Sequence, residues 1–456
     1  MAKKKQIELT IEEKLQNALV PKEEQPYKIP SNWCWSYWKY CGKFIAGNGF
    51  KNIYQGFTQY DIPYYKVGSL KFCDEGNYLI DETNTINEEI RTKLKAVKIP
   101  VNSIIFAKIG EAIKLNRRCL NKIECCIDNN LMAFISEKYF YKYIFYWTKS
   151  LNFYELTNAT TVPALRKTDL ENIPIPLPPL NEQQRIVNRI ESLFAKLDRA
   201  KELIENTLAQ FEQNKMAILH KAFIGELTAK WRKENNIDLS SWQEKTIDEL
   251  CTSLKYGTSK KSKLKGSVVV LRMGNLQNGE IDWSNLMYTD DKDDIEKYLL
   301  KKGDVLFNRT NSPELVGKTS IYRGEYPAIY AGYLIKLDYG KDIIGEYLNY
   351  MMNSTKAKHY CYTVKTDGVS QSNINAKKIG AFEIPVPTIE EQQEIVNILD
   401  NLLAKYNKIK NLEQQLEKIE LLKKAILAKA FRGELGTNNA DEESAENILK
   451  EILAEK

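Results

Sequence analysis

Hydrophobic and polar positions along the chain form two kinds of pattern that alternate. Two long stretches carry apolar residues at three- and four-residue spacing, from Ile186 to Leu219 and from Ile395 to Ile426, with charged residues between them. The remaining stretches carry short β-like runs, such as Ser103–Lys108 and Gly303–Arg309. The first pattern is typical of long amphipathic helices and the second of strands bounded by turns. We therefore predict two globular regions that alternate with two long helices.

The two helical stretches are copies of one segment. The first begins Ile-Pro-Leu-Pro-Pro-Leu-Asn-Glu-Gln-Gln at residue 175, and the second begins Ile-Pro-Val-Pro-Thr-Ile-Glu-Glu-Gln-Gln at residue 384, an offset of 209 residues. They end in Ala-Phe-Ile-Gly-Glu-Leu at 222–227 and Ala-Phe-Arg-Gly-Glu-Leu at 430–435. The alternating prolines predict an extended run that enters neither a helix nor a central strand. A repeat this long indicates a tandem of two similar halves and not a solenoid.

Each predicted helix presents an apolar stripe over several heptads, which includes Tyr406 and Ile409 in the second copy. Such a stripe is typical of a coiled-coil seam. A helix over residues 182–226 would be about 65 Å long at 1.5 Å per residue. Neither helix can bury its stripe alone, so we expect the two helices to pack on each other.

Composition and motifs narrow the class of protein. The 456 residues include no run of eighteen apolar residues, and residues 1–5 do not resemble a signal peptide, so we expect a cytoplasmic protein. The eight cysteines form no CxxC pair and fit reduced thiols, and two histidines exclude a His-rich metal site. The chain carries no P-loop, GxSxG or amino-methyltransferase motif. We therefore predict no active site, cofactor or metal in this chain.

Basic and amide-bearing loops are the candidate contacts to nucleic acid, since a net charge of +6 is a weak argument by itself. The Lys255–Gly266 loop has a composition that suits a phosphate backbone, and equally a solvated hairpin. Asn and Arg in Asn308–Ser312 can read adenine and guanine edges, while Ser370 and Gln371 suit either base contacts or a turn. The predicted contacts are Lys66, Lys108, Lys114, Arg117, Arg118, Thr160, Lys260, Lys261, Lys263, Arg272, Asn308, Arg309, Asn311, Ser312, Lys318, Ser370 and Gln371.

The repeated motifs have two interpretations. Glu-Gln-Gln at each helix start could cap the helix, but capping needs only one of the three, so a duplicated partner-binding surface explains it better. The Ala-Phe-x-Gly-Glu-Leu ends could equally be C-caps with their hydrophobic contact. The predicted partner-binding residues are Pro178, Pro179, Glu182, Gln183, Gln184, Phe223, Glu226, Pro387, Glu391, Gln392, Gln393, Phe431 and Glu434.

In this combination the chain resembles a specificity (S) subunit of a type I restriction–modification system, from about Ala18 to Leu435. Gly303–Lys318 is also similar to a recurrent stretch of that family's target-recognition domains, while Pro-Thr-Ile in the second copy departs slightly from Pro-Pro-Leu. The resemblance implies an α+β fold, in which two α/β target-recognition domains are separated by two long helices packed as an antiparallel coiled coil. The expected segments are an N-terminal helical segment 1–25, domain 1 at 26–173, helix 1 at 174–228, domain 2 at 229–381, helix 2 at 382–436 and an acidic tail at 437–456.

The same resemblance implies a function in phage defence. Each domain would read one half of an asymmetric bipartite site in double-stranded DNA, with the halves about 34 Å apart. Two modification subunits would methylate adenine N6 with S-adenosylmethionine, and two restriction subunits would use ATP and Mg²⁺. The sequence also leaves open a coiled-coil adaptor without DNA specificity, and an enzyme such as a fused methyltransferase.

Overall fold

The computed structural model describes residues 9–157, 162–407 and 410–455, which form two compact units. Unit 1 comprises residues 1–202 and 415–456, and unit 2 comprises residues 203–414. Each unit therefore combines one globular region with parts of both long helices. The predicted contact Thr160, the predicted seam residue Ile409 and the side chain of Tyr406 lie outside the described residues.

The elements before the first long helix belong to unit 1. They are α1 (Ile11–Ala18), β1 (Cys34–Tyr37), β2 (Gly42–Ala46), β3 (Ile62–Tyr65), β4 (Thr85–Ile86), α2 (Glu88–Leu94), β5 (Ile104–Ala107), β6 (Arg118–Leu120), β7 (Cys126–Ile127), β8 (Leu131–Ser136), α3 (Tyr141–Ser150), α4 (Lys167–Glu171) and β9 (Pro174–Leu177). The first long helix, α5, spans Leu180–Phe223, as the apolar spacing predicted.

The elements after α5 build unit 2 and then return to unit 1. They are α6 (Ala229–Glu234), β10 (Gln243–Thr246), α7 (Ile247–Leu250), β11 (Cys251–Tyr256), β12 (Val268–Leu271), β13 (Leu276–Gln277), β14 (Glu280–Ile281), β15 (Tyr288–Thr289), α8 (Lys292–Tyr298), β16 (Val305–Asn308), β17 (Thr310–Asn311), β18 (Thr319–Ile321), β19 (Ala328–Tyr330), β20 (Leu334–Tyr339), α9 (Gly345–Met352), α10 (Thr355–Val364), β21 (Thr366–Asp367), β22 (Ser372–Asn373), α11 (Ala376–Gly380), β23 (Glu383–Val386), α12 (Ile389–Asn407), α13 (Lys410–Phe431) and α14 (Ala445–Ala454).

Both units are built on the same strand order. Unit 1 has sheets β2-β8-β5-β6, β4-β3-β7 and β1-β9, and unit 2 has the matching sheets β11-β20-β16-β18, β15-β12-β19 and β10-β23. In each unit the second sheet contains one parallel pair, β3 with β7 and β12 with β19. Unit 2 adds the sheets β13-β14 and β17-β22-β21. The tandem repeat predicted from the sequence is therefore confirmed in the strand order.

The central strand of unit 2, β16, separates two packed layers because successive side chains point to opposite faces. In β16, Val305 and Phe307 pack in one core with Tyr347 of α9, whereas Leu306 packs in another with Tyr330 of β19. All four residues of this strand are buried. The residue that follows such a strand is therefore held on a rigid support.

The segment after α13 completes unit 1. Helix α14 buries Leu449, Ile452 and Leu453 in the same core as Leu15 of α1, and the Lys450 ammonium lies 3.2 Å from the Glu12 carboxylate. The acidic tail expected at 437–456 thus contains an amphipathic helix, which the spacing of Ile448, Leu449, Ile452 and Leu453 in the sequence indicates.

One prediction about the cysteines is wrong. Cys73 and Cys119 of unit 1 form a disulfide, because the turn before residue 79 lies beside β6, so the eight cysteines are not all reduced thiols. Among the described residues, no helix combines the length and hydrophobicity that a membrane crossing requires.

Candidate nucleic-acid interface

Three separate segments of unit 2 meet at Arg309, the residue that follows β16. Its guanidinium lies 4.8 Å from the centre of the Tyr256 ring, and its Nη1 and Nη2 atoms donate to the Gly332 carbonyl (3.4 Å) and to Asn373 Oδ1 (3.1 Å). Tyr256 lies at the start of the predicted basic loop and is the last residue of β11, and Asn373 belongs to β22. The structure thus brings together the basic loop, Asn308–Ser312 and the segment that contains Ser370 and Gln371. The sequence indicated these three regions as separate candidates for contact with nucleic acid.

The groups that hold Arg309 are themselves fixed. Asn373 Nδ2 donates to Thr310 Oγ1 (2.7 Å), and the Ala376 amide donates to the Tyr256 hydroxyl (2.9 Å). An arginine that is stacked and hydrogen-bonded in this way loses little side-chain freedom on binding, and its planar fork suits the O6 and N7 atoms of guanine. Arg309 is half-buried, so its position is defined while part of the side chain stays accessible.

The basic loop leaves β11 through Gly257. A Cβ atom at this position would collide with the Tyr330 carbonyl oxygen, so only glycine lets the chain pass this close to β19. Beyond it Lys261 and Lys263 are exposed. Lys260 is also exposed, but its ammonium contacts Asp291 (2.7 Å), which raises its pKa and offsets its charge.

The hairpin β21–β22 carries two further predicted contacts, Ser370 and Gln371, and both are exposed. Other predicted contacts of unit 2 are more enclosed: Arg272, Asn311, Ser312 and Lys318 are half-buried. Lys318 Nζ donates to Gln277 Oε1 (2.8 Å), and burial lowers its pKa.

Asn308 was predicted to contact nucleic acid, and the structure contradicts this prediction. Its side chain is fully buried because it is the last residue of the central strand β16, with Nδ2 3.4 Å from the Met273 carbonyl and Oδ1 without a hydrogen-bond partner among the described residues. It supports the loop that follows and cannot contact a base in this conformation.

Unit 1 has a matching position after its central strand β5. The Lys108 carbonyl accepts from the Leu165 amide (2.8 Å), as the Arg309 carbonyl accepts from the Ile374 amide (2.9 Å). Lys66 and Lys108 are half-buried, whereas Lys114 and Arg117 are exposed. Lys114 forms an ion pair with Glu111 (2.6 Å). The two units therefore present different side chains on one framework.

Arg118 is the second correction. Only 3% of it is exposed, its Nη2 donates to the Leu151 carbonyl (2.8 Å), and its guanidinium lies 3.8 Å from the centre of the Phe153 ring. Burial lowers its pKa to about 9. The side chain points into the core from β6 and presents no charge to a DNA backbone.

The repeated Glu at each helix start binds a tryptophan of its own unit. Trp33 Nε1 donates to Glu182 Oε2 (2.8 Å), and Trp242 Nε1 donates to Glu391 Oε2 (2.9 Å), with a sequence offset of 149 in both cases. Both carboxylates are fully buried. Their prediction as exposed partner-binding residues is therefore wrong.

Each of these carboxylates also anchors the segment that follows the other long helix. Glu182 accepts from Asn438 Nδ2 (3.0 Å) and Thr437 Oγ1 (3.3 Å). Glu391 accepts from Thr228 Oγ1 (2.6 Å) and forms an ion pair with Arg232 (2.6 Å). The two units use the same site, but among the described residues only Glu391 forms an ion pair there; the Arg185 guanidinium interacts with Glu182 electrostatically and pairs with Glu442 (2.7 Å).

The adjacent motif residues are internal as well. Gln183 and Gln392 accept from the Phe140 and Ile344 amides and donate to the carbonyls of Pro178 and Pro387. The Phe223 ring packs edge-on against Tyr347, and the Phe431 ring against Tyr143. These contacts join the ends of the helices to α9 and α3 and favour the C-cap interpretation. The partner-binding candidates that are buried, contrary to the prediction of a surface, are Pro178, Pro179, Glu182, Gln183, Phe223, Pro387, Glu391, Gln392 and Phe431.

Four of the predicted partner-binding residues are exposed: Gln184, Glu226, Gln393 and Glu434. Gln184 and Gln393 donate to Asn188 and Asn397 one turn further along the helix. Sequence reasoning missed the roles of Tyr256, Trp33 and Trp242. The last two could have been found, since they share the 209-residue offset of the repeat.

Comparisons with known proteins agree with this geometry. A family model described as the type I restriction modification DNA specificity domain matches residues 52–210 and 240–421. The EcoKI specificity subunit of Escherichia coli (strain K12) is 29% identical over 315 residues, which cover 66% of this chain and 68% of the relative. The StySPI specificity subunit of Salmonella potsdam is 28% identical over 335 residues, covering 69% and 71%.

Solved structures share the fold. A chain from a study of complex assembly and conformational transition of the type I R-M system aligns with a TM-score of 0.66 at 19% identity, over 90% of this chain and 100% of that chain. The HsdS subunit from Thermoanaerobacter tengcongensis aligns with a TM-score of 0.50 at 19% identity, over 90% and 99%. Because the family model matches more than half of its residues, this protein belongs to the type I restriction–modification DNA specificity family.

Proposed function

We propose that this protein is the DNA-reading subunit of a type I restriction–modification complex, in which each unit reads one half of an asymmetric site. The observation that carries the proposal is the same strand order in both units with different residues after the central strand, Lys108 in one and Arg309 in the other. Two similar frameworks with unlike side chains suit two unlike half-sites. The preorganised Arg309 is the group we expect to contact a base.

The relatives are named as specificity subunits of type I restriction enzymes, which supports assembly with modification and restriction subunits. We assign adenine methylation with S-adenosylmethionine, and ATP- and Mg²⁺-dependent cleavage, to those partners. Within the residues that the structure describes, no three His, Cys, Asp or Glu side chains cluster as metal ligands would.

The exposed face at each helix start is the surface that we assign to the modification subunits, in place of the buried motif residues. Leu180 and Ile389, which are separated by the repeat offset, are 40% and 41% exposed. Gln184 and Gln393 lie one turn further along and are exposed too. An exposed apolar residue beside an amide, present twice, suits two copies of one partner.

We further propose that the long helices pair as an antiparallel coiled coil. In unit 1 Lys423 of α13 contacts Asp198 of α5, and Glu420 lies 4.0 Å from Lys201. Residue numbers rise along one helix as they fall along the other, so the two helices run antiparallel. In unit 2 Leu219 of α5 packs in one core with Leu399 of α12.

Inserting seven residues in each helix, about 10 Å, should lengthen the spacer of the methylated site by about three base pairs. An unchanged spacer would refute the coiled coil as a ruler.

An exchange of residues 242–379 for the corresponding region of another family member tests the central proposal. Methylated adenines are mapped across the genome of cells that express the exchanged chain with the modification subunits. One half of the methylated sequence should change while the other stays constant. A change in both halves, or in neither, would contradict one half-site per unit.

A further inference from the structure

The hairpin β21–β22 presents one apolar side chain to solvent at its tip. Val369 is fully exposed, with a relative accessibility of 110%, and the neighbouring Ser370 and Gln371 are exposed and polar. The turn is closed by the Gly368 amide, which donates to the Gln371 carbonyl (2.8 Å). A single, fully exposed aliphatic residue thus lies in a tight turn.

The base of the hairpin is firmly braced. Lys365 Nζ contacts the Asp367 carboxylate, which also accepts from the Ser372 hydroxyl, and Lys378 Nζ donates to Thr366 Oγ1 (2.7 Å). Strand β22 is paired on both sides, with β21 and with β17. The tip therefore projects from a three-stranded sheet and not from a loose loop.

The same sheet holds the guanidinium expected to read a base. Asn373 of β22 accepts from Arg309 and donates to Thr310 of β17. Val369 and Arg309 are therefore linked by one short strand. A duplex that contacts Arg309 from this side would meet the hairpin tip within the same half-site.

We propose that Val369 is an apolar wedge that enters the DNA half-site read by unit 2 and partly unstacks a base step there. The inference rests on the proposed DNA-reading function. Proteins that deform DNA insert single aliphatic or aromatic side chains between bases, and a rigid support is needed to offset the unstacking. A protein-docking surface would instead require a contiguous apolar patch, whereas Val369 is flanked by polar residues.

The test uses the full chain bound to its modification subunits and duplexes that carry the methylated sequence, with 2-aminopurine at successive positions of the half-site read by unit 2. Fluorescence at one step should rise on binding, because unstacking relieves quenching. Val369→Thr, which keeps the shape but adds a hydroxyl, and Val369→Ala should lower the rise at least threefold and weaken binding about tenfold. Val369→Leu should retain both. Val97→Thr, at an exposed valine of unit 1, is the matched control.

Several results would overturn the wedge. Unchanged fluorescence and affinity in Val369→Thr and Val369→Ala would show that the tip does not enter DNA. Weaker capture of modification subunits with an unchanged fluorescence signal would assign the tip to a protein contact. Binding of the unsubstituted complex without sequence preference would refute the DNA-reading function itself, and the wedge with it.

Discussion

At the scale of single residues, burial decides which charged side chains can serve a surface. Besides the buried Arg118, unit 1 contains the half-buried Lys149 of α3, whose Nζ donates to Asn77 Oδ1 (2.5 Å). Burial, and then the charges of Arg118 and Lys423, lower the pKa of Lys149 to about 8, and Asp198 opposes the shift. Unit 1 therefore holds a partly buried charge that destabilises it at neutral pH.

Lys149→Met should remove this penalty. Because the folded pKa lies below the ordinary value of 10.5, the unfolded chain binds more protons between about pH 8 and 10.5, so stability rises with pH across that window and the penalty is full below it. The substitution should stabilise unit 1 at pH 7 by up to about 3 kcal/mol, less the lost hydrogen bond to Asn77. Urea unfolding at several pH values measures this, with the exposed Lys51→Met as control. An unchanged pH profile would mean that Lys149 is not the group responsible.

Substitutions at Arg309 and at Lys261 should have different kinds of effect on DNA binding. Arg309→Ala, and to a similar degree Arg309→Lys, should relax the preference at one base of the site about tenfold, because the fork that suits guanine is lost. Lys261→Ala should weaken binding evenly across sequences and lower the salt slope by about one. Binding to a panel of single-base variants at two salt concentrations distinguishes them. If Arg309→Ala weakens all variants equally, its contact is to phosphate.

At the scale of elements, the repeated Pro-rich segment and helix start fasten each globular region to a long helix. The strand β9 or β23 pairs at an edge, and the helix start then binds the tryptophan that precedes β1 or β10. A motif that was expected to face a partner instead satisfies buried groups within its own unit. Its repetition follows from the repetition of the fold.

The two glutamates should respond unequally to the same substitution. Glu391→Gln leaves the Arg232 guanidinium buried without its counter-charge, which costs about 3 kcal/mol or more. Glu182→Gln disturbs hydrogen bonds from neutral donors at about 1–2 kcal/mol, because Arg185, which also interacts with Glu182, keeps its ion pair with Glu442. Hydrogen exchange under increasing urea, followed separately in β10 and β1, reports the stability of each unit. Equal losses in both units would contradict a dominant role of the Arg232 ion pair.

The sequence predicted the elements well where a pattern is periodic or repeated. The long helices, the edge strands built from prolines and the tail helix were all accessible because spacing and backbone chemistry decide them locally. Which side chains are exposed to solvent could not be predicted from the sequence in the same way. Asn308 and Arg118 have side chains typical of DNA contacts, but the strand register turns both inward, and register depends on distant partners. Tyr256 was missed because its stacking on Arg309 joins residues far apart in the chain.

At the scale of the whole molecule, two equivalent exposed faces predict two equivalent partners. Leu180→Asp or Ile389→Asp should reduce the captured modification subunits from two to one, and the double variant should capture none, because a carboxylate disfavours burial of that face. Mass measurement of purified complexes gives the stoichiometry. Leu299→Asp, at a leucine of similar exposure (49%), is the control and should assemble normally. Full assembly of the double variant would place the partners elsewhere.

Unit 1 combines residues from two distant parts of the chain, which has a consequence for its folding during synthesis on the ribosome. Residues 203–414 are contiguous and can complete unit 2 as soon as they emerge, but residues 9–202 must wait for Phe431, Leu449 and Leu453, which share a core with Leu15 and Trp33. During that interval the first globular region exposes apolar surface that only later-made residues cover. A chain truncated after residue 414 would therefore contain a complete unit 2 and an incomplete unit 1. Quality-control proteases would recognise the incomplete unit by its exposed apolar surface.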